Sequence, residues 1–177
     1  MKHDWDPSGL DVREFARAAG QLQGQSALQA WTRLSEDAAE KEGHVRWQLV
    51  GSTRAVQGGA GQVWLDVTAE LDIALSCQRC LGVVRLPIQI ERAFRFVPDE
   101  ALAAQEDEDS EEDVLVWDKR FDALALLEDE LIMALPMIPM HEACHGEQAL
   151  TSDQEEGAPE RPNPFPVLSK LLLGKSK

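Results

Sequence analysis

Cys77 and Cys80, separated by two residues, and the run His141-Glu142-Ala143-Cys144-His145 are the parts of this sequence best equipped for chemistry. A tetrahedral zinc ion takes four nitrogen or sulfur ligands. Cys77, Cys80, Cys144 and one of the two histidines would supply a Cys₃His set, for which His141 is the expected imidazole. The same C-x-x-C pair could serve thiol–disulfide exchange, but that use wants the first cysteine at a helix N-terminus, where the helix dipole lowers its pKa. Here Val83 to Val97 alternates as a strand, so a metal knuckle at a β-turn suits the pair better. The plain alternative makes Cys77 and Cys80 small, partly buried residues at a hairpin tip and Cys144 an incidental loop thiol.

The elements that must position these residues are legible from their periods. Val63, Leu65, Val67, Ala69, Leu71, Ile73 and Leu75 alternate with mostly polar residues, and Val84, Leu86, Ile88, Ile90, Phe94 and Phe96 repeat the pattern on the return. They predict a long antiparallel hairpin tipped by Cys77-Gln78-Arg79-Cys80-Leu81-Gly82, with Arg92 as the one charge on its apolar side. Val45, Trp47 and Leu49 add a strand upstream. Helices are expected over Leu10–Ala19, around Leu28, Trp31 and Leu34 within 25–39, and over Phe121–Leu135, which Pro136 ends. The fold class is therefore α+β: an antiparallel sheet or small, partly closed barrel with helices on one side. Residues 1–39 read as an N-terminal helical segment, 40–150 as the main domain, and 151–177 as a polar linker with a C-terminal motif.

The 177-residue chain carries a formal charge of −15. Nine carboxylates and no base fall between Asp99 and Asp113, a run expected to be a solvated, poorly ordered loop. Such a charge weakens any reading based on general attraction to phosphate, DNA included, and makes a basic protein partner at least as natural. Arg79, Arg85, Arg92 and Arg95, with Phe94 and Phe96 on the return strand, form the only plausible nucleic-acid face, Arg85 and Arg95 sharing its polar side; the alternative is arginines that solvate the sheet and pair with nearby acids. Glu128, Asp129 and Glu130 point about 100° apart on a helix, so they suit a solvated or partner-facing surface better than one metal ion. No apolar run nears the roughly 18 to 20 residues of a membrane span, and the N-terminus lacks a secretory signal's apolar region, so a cytoplasmic, membrane-free protein is expected. No nucleophile elbow, phosphate-cradling loop or H-E-x-x-H pair asks for an enzyme.

Taken in order, Cys77-Gln78-Arg79-Cys80-Leu81, the acidic insertion, Glu128-Asp129-Glu130-Leu131, Leu135-Pro136-Met137-Ile138-Pro139-Met140-His141, Cys144 and Asn163-Pro164-Phe165-Pro166-Val167-Leu168 resemble the YceD family of large ribosomal RNA subunit accumulation proteins. The resemblance covers about residues 40 to 172. It implies a non-enzymatic cytoplasmic factor for the synthesis, processing or accumulation of 23S rRNA, and hence for large-subunit biogenesis. The partner would be 23S rRNA or its precursor, directly or indirectly, or a basic ribosomal protein or processing factor. A zinc-binding or thiol-redox protein is the alternative. The tail motif, with Phe165 and Leu168 as its large apolar side chains, is expected to dock, either on its own domain or on a partner.

Overall fold

The computed structural model describes residues 5–55, 61–107, 110 and 112–144. The tail with Phe165 and Leu168, and His145, lie outside the described residues. The chain divides into two units, Met1–Ala143 and Cys144–Lys177, and of the second only Cys144 is described.

Among the described residues the order is α1 (Val12–Arg17), β1 (Gln21–Ala27), a 3-10 turn (Leu28–Ala30), α2 (Thr32–Asp37), β2 (His44–Arg54), β3 (Gln62–Ser76), β4 (Val83–Val97), α3 (Glu100–Asp107), β5 (Asp113–Val116) and α4 (Ala123–Met133). The strands form one sheet in the order β1-β2-β3-β4-β5. Its first three pairings are antiparallel, whereas β4 and β5 run parallel. The fold is α+β, as the periods predict, but the sheet is mixed and open rather than wholly antiparallel or closing into a barrel.

The predicted hairpin is the centre of the sheet, with Leu71 opposite Ile88 and Ile73 opposite Leu86. Its odd-numbered β3 residues, Leu65, Val67, Leu71 and Ile73, are buried with Leu49 of β2, Phe15 of α1 and Leu127 and Leu131 of α4. Strict alternation puts all of these strand residues on one face, and burying that face against helices is what fixes the register. Asp11 caps α1 by accepting from the Glu14 N–H, and Asp122 caps α4 by accepting from the Ala125 N–H. Paired backbone hydrogen bonds between Leu10 and Phe121 tie the two helix starts together.

Two expectations are corrected. The N-terminal segment is not simply helical: Gln21–Ala27 is an edge strand paired with β2 through Leu22↔Leu49 and Gly24↔Trp47. The acidic run is not one loop either, because it contains α3 and reaches into β5. Asp99 accepts from the Leu102 N–H at the start of α3, and Ala103 packs with Val97 and Val114 in a small second cluster. Val97 and Arg95 alternate with Phe94 and Phe96, so α3 covers the opposite face of the sheet from the other helices.

A candidate metal centre at the hairpin tip

Cys77 directly follows β3, and the turn that it opens is closed by hydrogen bonds from the Cys77 N–H to the Gly82 carbonyl and from the Leu81 N–H to the Cys77 carbonyl, at 2.8 and 2.9 Å. Leu81 adopts a left-handed φ of 61°, which lets the chain reverse in so few residues. The segment after α4 lies against this turn: the Gln78 N–H donates to the Pro139 carbonyl at 2.8 Å, and Pro139 is buried. Pro136 and Pro139 keep that stretch out of a helix and aim His141 at the turn.

Cys77, Cys80, His141 and Cys144 converge, with one ligand atom from each lying within 4.8 Å of every other. Cys77 and Cys144 are buried, Cys80 is exposed, and none of the three is in a disulfide. His141 Nε2 is 3.0 Å from the Val83 carbonyl oxygen and Nδ1 is 3.4 Å from Cys80 Sγ. A carbonyl only accepts, so Nε2 carries the proton and the Nδ1 lone pair faces the sulfurs. Backbone N–H groups, that of Cys80 foremost and then those of His141 and Arg79, aim at the Cys77 sulfur and outweigh burial, which pulls the other way. They hold its thiol down at about 5. The sequence placed all four residues together and left His141 and His145 as alternatives; the structure brings His141 to the site.

The arginines expected to form a nucleic-acid face are engaged within the chain. Arg85 pairs with Glu40, and Arg95 with Glu106 of α3. Arg95 is only 8% exposed, so it is no part of an open surface. Arg79 stands in the metal-site turn, its backbone N–H directed at Cys77.

The acid triplet resolves into three separate roles. Glu128 Oε1 accepts from the backbone N–H groups of Arg33 and Leu34 at 2.8 and 3.2 Å, while its Oε2 lies 3.1 Å from the Arg33 guanidinium. Asp129 takes the other side of the same guanidinium. Glu130, buried on the core face, meets Arg92 at 3.1 Å. This pairing explains how a charge at Arg92 is tolerated on the apolar side of the sheet.

Burial above all, with Asp113 adding to it and Arg92 opposing, lifts the Glu130 carboxyl above its ordinary 4.5. A raised folded-state pKa means stability that is full below the ordinary carboxylate range and is lost as pH rises through the raised value. Glu130→Gln removes that titration. Thermal melts from pH 4.5 to 7.5 should show the variant's stability relative to the parent improving as pH rises, ending no lower than the parent at neutrality. A variant that instead loses ground at neutral pH would make the Arg92 attraction the larger effect.

Among the described residues, no helix is long and apolar enough to cross a membrane. A family model described as "Large ribosomal RNA subunit accumulation protein YceD" matches residues 65–172, from within β3 to the tail motif. A curated relative of that name from Haemophilus influenzae is 32% identical over 106 residues, which is 58% of this chain and 61% of the relative. The match thus spans about three fifths of the relative's length. No solved structure matches. With more than half of its residues under the family model, including Cys77, Cys80, His141 and Cys144, the chain belongs to the YceD family.

Proposed function

We propose that this chain is a non-enzymatic, cytoplasmic factor for accumulation of the large-subunit ribosomal RNA, acting in subunit biogenesis through a basic protein partner rather than by gripping 23S rRNA itself. The family supports the first part. The second rests on one observation: all five arginines of the described strands, Arg46, Arg54, Arg85, Arg92 and Arg95, sit against carboxylates of the chain itself. Phosphate binding draws its free energy from cations that release counterions from the nucleic acid, and a cation already held by a carboxylate has less to give. A chain of charge −15 repels rRNA at long range and attracts basic proteins. Large apolar side chains are also bared on the two segments that meet at the Cys/His cluster, with Leu81 79% and Met137 97% exposed, joined by Val83, Ile138 and Met140. Exposed groups of this kind suit a protein surface better than a phosphate backbone.

A tagged full-length chain recovered from growing cells, with bound RNA sequenced and bound proteins identified across a salt series, tests this reading. The expected result is a basic protein that leaves as salt rises, RNA that is lost when that protein is lost, and a fall of 23S relative to 16S rRNA in cells lacking the chain. Recovery of 23S rRNA by the purified chain alone, persisting at high salt, would reverse the order of partners. An unchanged 23S level without the chain would remove the function.

A further inference from the structure

We propose that Cys77, Cys80, His141 Nδ1 and Cys144 bind one zinc ion in a closed tetrahedral site that staples the β3–β4 turn to the segment following α4. Two Zn–S and Zn–N bonds of about 2.3 and 2.0–2.1 Å at the tetrahedral angle put their sulfur and nitrogen roughly 3.6 Å apart. Cys80 Sγ and His141 Nδ1 stand 3.4 Å apart. The four donor atoms lie within 4.8 Å of one another, so small side-chain rotations bring each onto a common centre.

The surroundings suit the ion as well as the ligands do. A metal-bound imidazole normally donates its other N–H to a carbonyl or carboxylate, which fixes ring and tautomer. His141 has this partner in the Val83 carbonyl at 3.0 Å. The turn itself is held open for two sulfurs by its own backbone hydrogen bonds and by the left-handed Leu81. Soft thiolates and an imidazole favour zinc over magnesium or calcium, which take oxygen ligands.

Four protein donors leave no position for water or substrate, so the site is structural rather than hydrolytic. On binding, each coordinating thiol enters as thiolate and its proton goes to solvent; no oxidation is involved.

The test uses the reduced full-length chain, with metal content by mass spectrometry, titration with cobalt as a spectroscopic stand-in for zinc, and melting with and without zinc. One zinc per chain is expected, together with the visible bands of tetrahedral cobalt and a thiolate-to-cobalt charge-transfer band. Removing zinc should lower Tm by about 5 °C or more. Cys80→Ser, which alters an exposed sulfur and spares the core, His141→Gln and Cys144→Ser should each weaken binding by more than ~100-fold, whereas Glu142→Gln should leave it intact. Circular dichroism confirms that the variants remain folded. A folded, reduced chain that takes up neither zinc nor cobalt at one equivalent overturns the proposal. Undiminished binding by Cys80→Ser, His141→Gln or Cys144→Ser overturns the ligand set. These are measurements on the isolated chain, so failure here leaves the ribosomal reading standing, and the reverse holds too.

Discussion

Glu128→Ala should destabilise the protein by about 2–4 kcal/mol, whereas Asp129→Ala, one residue along, should change stability by no more than about 0.5 kcal/mol. The reason lies in α2. Its N-cap residue, Trp31, provides no side-chain acceptor, so the first N–H groups of that six-residue helix have no local cap. The Glu128 carboxylate arrives from α4 and takes the N–H groups of Arg33 and Leu34, with the Arg33 guanidinium on its other oxygen. Its side chain is 12% exposed, so water replaces little of what the alanine variant loses.

Asp129 meets the same arginine from a side chain that is 51% exposed, a geometry in which ion pairs contribute little. Helix α2 also contributes Leu34 to the core, so its uncapping should be felt there. Urea unfolding of the two variants decides the matter, with equal midpoints counting against the capping role. Glu128→Gln should fall between them, because an amide oxygen still accepts from the backbone but no longer pairs with Arg33 as an ion.

The triplet also shows where sequence reasoning stops. Helical spacing says that Glu128, Asp129 and Glu130 diverge, and they do; it cannot say which of them meets a partner 95 residues earlier in the chain. The hairpin was legible because nearly every inward position from Val63 to Phe96 is apolar. Strand β1 has the same alternation of exposure but offers only Leu22, Gly24 and Ser26 to the inner face. Glycine and serine register as turn residues rather than as a strand, although Gly24 has a packing role here: a Cβ at that position would lie 2.5 Å from Cζ2 of Trp47 on the neighbouring strand and would displace that ring.

At the candidate metal centre the residue types and the C-x-x-C spacing were informative in the same local way. What the sequence lacked was the Val83 carbonyl, a backbone acceptor that singles out His141 and belongs to no motif. The acidic run misled for a related reason. Its charge is plain in the sequence, whereas Ala103 against Val97 and Val114, and a buried arginine opposite Glu106, become visible only when the strands are laid side by side.

That arginine supports the second large effect: Arg95→Ala should cost about 2–3 kcal/mol and loosen α3 ahead of the rest of the protein. On the outer face of β4, Arg95 reaches Glu106 with Nη1 and the Ser110 hydroxyl with Nη2 at 2.9 Å, while its Nε is buried without a partner. Removing the side chain takes away the counter-charge and leaves a gap between the sheet and α3. Glu106 is 32% exposed and can turn towards water, which keeps the loss below that of a fully buried pair.

Among the described residues the cluster that holds α3 is small: Val97, Ala103 and Val114 are buried, with Leu102 and Val116 partly buried against them. Hydrogen exchange should therefore accelerate by at least ~10-fold at the Ala103 amide, which α3 formation bonds to the Asp99 carbonyl, while β3 amides opposite Ile88 and Ile90 keep their protection. Arg95→Met separates the two contributions, because it restores much of the packing, removes the unpartnered Nε and omits the charge. If methionine recovers the exchange protection, packing anchors the helix. If it behaves as alanine does, the ion pair anchors it, and Glu106→Gln in the parent should then reproduce the fast exchange by itself. Unchanged exchange in both arginine variants would mean that α3 is held by something other than Arg95.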